Sequence, residues 1–308
     1  MKQGPYAVAE IILSELPLDA PPQTLEDLIH RIIVDRPEWG YVPEEKAALW
    51  ATRVKSYLLG HWERRVKGGM QPRFSFNSVS DYKIQGCCFI EPCDSPEVAE
   101  QKRRRIRGRD YYDALKALSP RAFERVCACL LRLVGVQDPV LTPYRADQGI
   151  DFFGRTSIGD LTGHGPLFPV FESGLVFWLV GQAKHYRDSK VSTPDLRGLA
   201  GSVFLGRARA FPRESSLPRL EIRACDPVIA LFLTTGQISS DGWDLCRRAG
   251  IVAMDGEMLA AFLADKQIGI VEEGGTREFS PRQFARWIGV EAESLGDSAD
   301  PARGEPSP

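Results

Sequence analysis

Three polar side chains in the middle of the chain have the types and the spacing that phosphodiester hydrolysis requires. Asp151 lies within a strand-like stretch at residues 149–154, and Gln182 and Lys184 close a second, more apolar stretch. Side chains alternate between the two faces of a strand, so Gln182 and Lys184 project together while Ala183 points the other way. An acid, an amide and an amine gathered at one sheet edge predict metal-assisted hydrolysis of nucleic acid.

The chemistry assigns each of these residues a role. Hydrolysis needs a positioned water, neutralised phosphate charge and a stabilised leaving oxygen, and a divalent metal can serve all three needs. Mg²⁺, or Mn²⁺ in its place, prefers hard oxygen ligands and keeps several waters. The expected metal ligands are the Asp151 carboxylate, the Gln182 amide oxygen and the backbone carbonyl of Ala183. Lys184 would orient or deprotonate the attacking water and offset developing negative charge.

Composition sets the limits within which this chemistry must work. The chain has 308 residues, long enough for two domains, and 39 basic residues against 41 acidic ones. Binding to nucleic acid therefore cannot be argued from net charge. No apolar run approaches the roughly 20 residues that a membrane span needs. Seven cysteines and no signal-type N-terminus predict reduced thiols in a soluble, cytoplasmic protein.

Residues 1–95 have the pattern of a small helical domain that ends in a hairpin. Apolar residues recur at helical spacing in three segments, and Thr24 begins a sequence typical of a capping box. Gly68-Gly69, between short strand-like pieces, predicts a hairpin turn. Three helices and a basic hairpin are typical of a winged helix that contacts DNA. The same pattern fits a helical module for docking a partner, and both interpretations stay open.

A basic segment follows at residues 96–112. Six cations occupy the nine positions from 101 to 109, enough to neutralise phosphates in a salt-sensitive way. We interpret it as a solvated linker, which could also touch DNA.

Residues 113–265 predict an α/β domain with a central mixed sheet. Ser119 followed by Pro120 is typical of a helix start. Strands and helices then alternate, with strands expected at 149–154, 175–184, 227–234 and 251–254, and helices at 192–203, 241–249 and 256–263. The remaining residues, 266–308, form a C-terminal extension that is expected to be disordered from about residue 291.

Five landmarks in this order resemble the Mrr-like restriction endonucleases, a branch of the PD-(D/E)XK nuclease superfamily. They are Ser119-Pro120-Arg121-Ala122-Phe123-Glu124, Asp147-Gln148-Gly149-Ile150-Asp151, Gly181-Gln182-Ala183-Lys184-His185-Tyr186, Leu233-Thr234-Thr235-Gly236-Gln237-Ile238-Ser239 and Ile251-Val252-Ala253-Met254-Asp255-Gly256. The resemblance implies a restriction-endonuclease-like core, with Asp151 as the catalytic aspartate and Gln182 and Lys184 as the Gln-x-Lys motif. It also implies Mg²⁺-dependent cleavage of DNA, often modified or foreign DNA.

Some residues around this motif have two interpretations. Gln182 replaces the commoner Glu of the superfamily, which removes one negative charge, although Gln is usual in the Mrr-like branch. Glu124 is either a fourth member of the site or a surface carboxylate, and Asp147 is either a site residue or a turn residue. His185 is expected to be structural, and Tyr186 either packs or touches a phosphate. Residues 207–226 are either a surface insertion or a DNA-facing loop.

A zinc site is not expected from the cysteines. Cys87, Cys88 and Cys93 cluster in sequence, but neither a fourth Cys nor a His follows at ligand spacing.

The leading hypothesis is therefore a DNA endonuclease of a bacterial restriction or anti-phage system. It could act alone or with partner proteins of a defence system. A nuclease of DNA repair or recombination would use the same core. A catalytically silent DNA-binding or scaffold protein is the third hypothesis, which the intact Asp151, Gln182 and Lys184 argue against. Because cleavage of two strands by a one-site chain calls for two protomers, we expect a homodimer or higher oligomer on DNA.

Overall fold

The computed structural model describes residues 3–40, 42–68, 70–143, 149–162, 175–187, 189–208, 210 and 220–289. The chain divides into two compact units, Met1–Gly108 and Arg109–Pro308. No helix in these described ranges is both long and apolar enough to cross a membrane.

The first unit combines three main helices with a small antiparallel sheet. Its elements are α1 (Pro5–Glu15), β1 (Gln23–Thr24), α2 (Leu25–Val34), a 3-10 turn (Pro37–Trp39), α3 (Pro43–Lys67), β2 (Phe74–Phe76), β3 (Lys83–Gly86) and α4 (Pro96–Arg105). The sheet has the order β1-β3-β2. Thr24 caps α2, since its side chain accepts a hydrogen bond from the Asp27 amide. Apolar side chains of all three main helices and of Phe74 and Ile84 form one core.

The prediction of a hairpin turn at Gly68-Gly69 is wrong. Helix α3 continues through Lys67, and the amide of Gly68 donates to the carbonyl of Arg64 as the helix ends. A glycine is common where a helix terminates, so this signal belongs to a C-terminal cap. The hairpin lies further along the chain, where Phe76 pairs with Ile84 across residues 77–83.

The basic segment is helical, whereas we expected a linker. Ser95 accepts a hydrogen bond from the Val98 amide and Pro96 occupies the first turn, so α4 begins with a standard cap. Its cations lie mostly in the last turn, where they interact favourably with the helix dipole. Lys102 also pairs with Asp94 at 2.7 Å.

The second unit is an α/β domain. Its elements are α5 (Gly108–Ala117), α6 (Pro120–Leu133), β4 (Val140–Leu141), β5 (Phe152–Thr156), α7 (Ile158–Thr162), β6 (Phe177–Lys184), β7 (Lys190–Val191), α8 (Thr193–Arg207), β8 (Val228–Thr234), β9 (Gln237–Ile238), α9 (Ser240–Ala249), β10 (Ile251–Met254), α10 (Gly256–Asp265), β11 (Ile270–Glu273), β12 (Thr276–Phe279) and α11 (Pro281–Trp287). The expected helix start is confirmed, because the Ser119 side chain accepts from the Ala122 amide.

The central sheet is mixed, as the sequence predicted. Its order is β10-β8-β6-β5-β4, in which β6, β8 and β10 run parallel and β4 and β5 run antiparallel to their neighbours. Strand β8 is central and has parallel partners on both sides, which explains its uninterrupted apolar sequence. Register places Phe152 opposite Gly181 and Lys184 opposite Thr234.

One face of the sheet packs on α6, and on that face Gly181 leaves room for the ring of Phe152. A Cβ at Gly181 would lie 2.1 Å from the ring of Phe152. Phe152, Leu179 and Phe123 share the same core cluster. The Phe152 ring therefore takes the volume that a side chain at residue 181 would need, directly before Gln182.

Residues 270–288 pack into this same core, although we expected a C-terminal extension after residue 265. Phe284 and Ile288 are buried in the α6 cluster, and Phe279 and Trp287 pack against it. The Tyr111 hydroxyl donates to the Ile268 carbonyl at 2.7 Å and joins this segment to α5. The tail expected to be disordered from about residue 291 lies outside the described residues.

Candidate active site

Asp151 directly precedes β5 and is hydrogen-bonded to the two residues of β6 that flank Gln182. Its amide donates to the carbonyl of Gly181 at 2.9 Å, and its carboxylate Oδ2 accepts from the amide of Ala183 at 2.7 Å. The side chain is buried. A carboxylate offers about four acceptor positions, and the Ala183 amide takes one of them.

Gln182 leaves its amide oxygen unsatisfied in a buried place. The residue is 8% exposed, and its Oε1 has no hydrogen-bond partner within the described part of the chain. Ala183 packs against the α6 cluster, so alternation along β6 directs Gln182 to the opposite face. A buried amide oxygen without a partner is rare in folded proteins and is a marker of an absent ligand, ion or water.

The backbone of β6 presents a second oxygen to Asp151. The N–H and C=O of one strand residue point to the same neighbouring strand. Because the Ala183 amide donates to Asp151, its carbonyl faces that side too. The Lys184 carbonyl faces β8 instead, where it accepts from the Thr234 hydroxyl at 2.7 Å. The Lys184 side chain is partly buried and shares the face of Gln182.

Gly149, which lies two residues before Asp151, leaves room for Ser202 of α8 and for Gln182. Gly149 has a φ of +77°, which favours glycine over residues with a side chain. A Cβ there would lie 2.6 Å from the Ser202 Oγ of α8 and 3.9 Å from the Gln182 Nε2. Gly149 therefore packs closely against Ser202, and the Gln182 amide lies near it.

Glu124 is connected to Asp151 indirectly, through Arg121 and Thr142. Its carboxylate is 13% exposed and pairs with Arg121 on the same helix. Arg121 also donates to the Thr142 carbonyl at 2.9 Å, and the Thr142 amide donates to the Asp151 carbonyl at 2.9 Å. Burial raises the pKa of the Cys127 thiol well above its usual value, and the charges of Asp151 and Glu124 raise it further.

His185 and Tyr186, the neighbouring residues considered from the sequence, make packing contacts. His185 faces α6, where its ring packs edge-on against Phe123 and its Nε2 lies 3.2 Å from the Leu115 carbonyl. Burial lowers the pKa of His185. Burial, together with Asp195, raises the pKa of the Tyr186 phenol. Asp147 lies outside the described residues.

The donor set fits a hard divalent cation. Among the described residues, no group of three His, Cys, Asp or Glu side chains is arranged to hold a metal. A cation at Asp151 would therefore also use neutral oxygens, and the unpartnered Gln182 Oε1 and the Ala183 carbonyl are of the kind that Mg²⁺ accepts. Gln182 Oε1, which has no hydrogen-bond partner among the described residues, is the observation that points to a cation at this place.

Two contributors were missing from the sequence-based prediction. Arg121 connects α6 to the strand beside Asp151, and Thr142 lies opposite Asp151. Neither has a local sequence signal, because both are recognised only through pairing between β4 and β5. A strand pairing predicted for residues 140–142 would have identified Thr142.

The sheet and its flanking helices thus hold a buried acid next to a strand that ends in Gln-x-Lys. Residues 115–210 match the family model Mrr_cat, described as a restriction endonuclease. The match covers about a third of the chain and confirms, for those residues, the resemblance to Mrr-like restriction endonucleases. The restriction-endonuclease-like fold of the second unit is likewise confirmed.

Two solved structures are also similar to the chain, at low TM-scores. The MspJI restriction endonuclease in complex with a 27-mer oligonucleotide has 20% identity and a TM-score of 0.33, with coverage of 58% of this chain and 36% of that chain. The DNA modification-dependent restriction endonuclease AspBHI has 15% identity and a TM-score of 0.36, with coverage of 75% and 47% respectively. The match spans less than half the length of either neighbour. Comparison with curated proteins gave no match.

Proposed function

We propose that the protein is a Mg²⁺-dependent DNA endonuclease that acts on foreign or modified DNA in a bacterial defence system. One observation carries the proposal. Gln182 Oε1 is buried without a partner among the described residues, and Asp151 is hydrogen-bonded to the residues on both sides of Gln182, on the strand that ends with Lys184. This arrangement occurs within the segment that matches a restriction endonuclease family.

Each residue of the site has a defined task in this proposal. A bound divalent cation would neutralise phosphate charge and make its water a stronger nucleophile. Asp151, Gln182 Oε1 and the Ala183 carbonyl would hold that cation. Lys184 would act in one of two ways: as a neutral amine it would accept a proton from the attacking water, and as an ammonium it would orient that water and offset the charge that develops on the phosphate. The amide of Ala183 fixes the Asp151 carboxylate before substrate arrives.

Plasmid cleavage by the full chain tests the proposal. Methylated and unmethylated plasmids are incubated with MgCl₂, with MnCl₂ and with EDTA. Lys184→Ala is expected to lower the cleavage rate by about 10²–10³, the range for loss of one charge-stabilising group. Lys190→Ala removes an exposed cation six residues away and serves as the matched control, with a rate expected to equal that of the wild type.

The outcomes separate the competing functions. Cleavage that persists in EDTA would contradict metal dependence, and an unchanged rate for Lys184→Ala would contradict the assigned role. Retained DNA binding without cleavage under any condition would favour the silent DNA-binding protein. A preference for one methylation state would distinguish modified from unmodified DNA as the target.

We also propose that the first unit is a winged-helix domain that senses DNA. The order of elements supports this: a strand lies between the first two helices, and a hairpin follows the third helix. The sheet order β1-β3-β2 brings the hairpin beside that first strand. Helix α3 carries Arg53, Arg64 and Lys67 at exposed positions, where they could contact phosphates. A partner-docking role for this unit is the alternative outcome of the test.

Fluorescence anisotropy with a labelled duplex tests that assignment in the full chain. The double variant Arg53→Ala/Arg64→Ala is expected to weaken binding and to reduce the slope of log K against log salt by about 0.9 for each lost phosphate contact. Arg247→Ala, at an exposed position of α9, is the control. An unchanged affinity and slope for the double variant would favour a docking role for the first unit.

We propose that the active species is a homodimer or higher oligomer on DNA and that the protein works in the cytoplasm. One active site per chain cuts one strand, so double-strand cleavage calls for two protomers. Sedimentation of the Asp151→Asn variant with duplex DNA is expected to give two chains per duplex. A single chain per duplex together with nicking of only one strand would contradict the dimer.

A further inference from the structure

Thr142 lies directly opposite Asp151 in the antiparallel pairing of β4 with β5. Leu141 pairs with Phe152, and the amide of Thr142 donates to the carbonyl of Asp151 at 2.9 Å. Residues that face each other across an antiparallel pair have their Cβ atoms about 4.5–5.5 Å apart on one face of the sheet. The side chains of Thr142 and Asp151 are therefore expected to begin at about this separation.

This hydroxyl is buried without a partner. Thr142 is 1% exposed, and its Oγ1 has no hydrogen bond to any described residue. The other buried threonine hydroxyls of the second unit are all satisfied. Thr156 donates to the Gly135 carbonyl, Thr234 to the Lys184 carbonyl and Thr235 to the Tyr186 carbonyl. Valine would fill the place of Thr142 without an unsatisfied polar atom, so the hydroxyl needs an explanation.

Gln182 Oε1 supplies the second observation. Among the described residues after residue 108, Thr142 and Gln182 are the two whose side chains bury a nitrogen or oxygen without a partner. Thr142 directly follows β4 and its amide bonds to the Asp151 carbonyl, and Gln182 lies on β6 between the two residues that bond to Asp151. Two orphan oxygens around one carboxylate point to a common ligand that is a hydrogen-bond donor or a cation.

The backbone at Thr142 is held rigidly. Its amide donates to Asp151, and its carbonyl accepts from Arg121, which pairs with Glu124. The position of the hydroxyl is thus set by both the sheet and α6 before any ligand binds. Such preorganisation is typical of groups that orient a metal or its water.

We propose that the Thr142 hydroxyl belongs to the same divalent-cation site as Asp151 and Gln182, as a neutral oxygen that contacts the cation or one of the waters it keeps. The inference rests on the proposed function, because it presupposes a cation at Asp151. A third neutral oxygen suits a site in which an amide stands where most of the superfamily has a carboxylate. Mg²⁺ and Mn²⁺ both accept hydroxyl and water oxygens.

Titration of the full chain with MnCl₂ in the absence of DNA tests this inference without any activity measurement. Free Mn²⁺ is followed by electron paramagnetic resonance for the wild type, Thr142→Val, Thr142→Ser, Thr156→Val and Asp151→Asn. Thr142→Val is expected to weaken Mn²⁺ binding by about 10–100-fold, the range for loss of a group that supports a metal site. Thr142→Ser keeps the hydroxyl and is expected to stay within about twofold of the wild type. Thr156→Val removes a satisfied buried hydroxyl from the same strand system and is expected to bind normally.

Thermal unfolding without metal supplies an independent readout. Thr142→Val is expected to unfold at a temperature equal to or above that of the wild type, because it removes an unsatisfied buried hydroxyl. MnCl₂ is expected to raise its unfolding temperature less than that of the wild type. A Thr142→Val protein with normal Mn²⁺ affinity, beside an Asp151→Asn protein with none, would overturn this inference alone. A wild type that binds no Mn²⁺ would overturn both the inference and the proposed metal dependence.

Discussion

Gln182→Glu is the most informative single change in this site, because it places a second carboxyl beside the Asp151 carboxylate. The backbone contacts of Asp151 to Gly181 and Ala183 bracket residue 182, so the two acidic groups would be close neighbours across the strand pair. Without a cation, the two charges repel each other in a buried place. With a cation, both charges are attracted to it.

The magnitude follows from Coulomb's law. At a separation of about 5 Å and an effective dielectric constant of about 20, two unit charges repel by about 3 kcal/mol. This corresponds to a rise of about 2 units in the pKa of the introduced carboxyl above its usual value of about 4.3. A carboxyl whose pKa is raised by folding stays protonated in the native state while the unfolded chain ionises. Stability is therefore lost as pH rises from about 4.3 to about 6.5, and the loss is constant above that window.

Urea unfolding at pH 4.5 and pH 8 measures this difference. Relative to the wild type at the same pH, Gln182→Glu is expected to be nearly unchanged at pH 4.5 and about 3 kcal/mol less stable at pH 8 in EDTA. MnCl₂ at pH 8 is expected to restore the lost stability. Gln237→Glu, at an exposed position of β9, is the matched control and should show neither effect. The reasoning is refuted if the loss is equal at both pH values, or if MnCl₂ restores nothing.

Two further predictions concern the surroundings of the site. Gly149→Ala is expected to destabilise the protein by about 1–3 kcal/mol in urea unfolding, because of its φ of +77° and the 2.6 Å approach to Ser202. The added change Ser202→Ala should recover part of that loss, and strict additivity of the two changes would contradict the clash. Asp226 accepts from the Trp178 indole at 3.1 Å and pairs with Arg223 at 2.7 Å, and the Arg223 contact is the main reason that its pKa is lowered. A lowered pKa means that this stabilisation is present above the usual pKa of an aspartate and is lost as pH falls through the lower native value. Asp226→Ala should therefore cost about 1–3 kcal/mol at pH 7, measured by tryptophan fluorescence, and little at pH 2.

The local sequence was sufficient to predict most helices and strands of the second unit. Ser119-Pro120 predicted the start of α6, and the apolar run before Thr235 predicted the strand β8. These signals depend on caps and on periodicity, which involve residues close in sequence. The same kind of signal at Ser95-Pro96 was obscured by the cluster of cations that follows, so α4 was interpreted as a linker. At Gly68 the glycine itself was recognised, but a helix end was mistaken for a turn.

The sequence by itself determined which chemical groups the site could contain. Asp151 precedes a strand, and the two-residue spacing of Gln182 and Lys184 places them on one face, because alternation along a strand is a local property of the backbone. Only the tertiary structure decided which other groups join them. Thr142 bonds to the Asp151 backbone through strand pairing, and Arg121 links Glu124 of α6 to the Thr142 carbonyl. Contacts between residues far apart in the chain depend on register and packing, which no single segment encodes, and the unsatisfied oxygens around Asp151 become visible only when those contacts are in place.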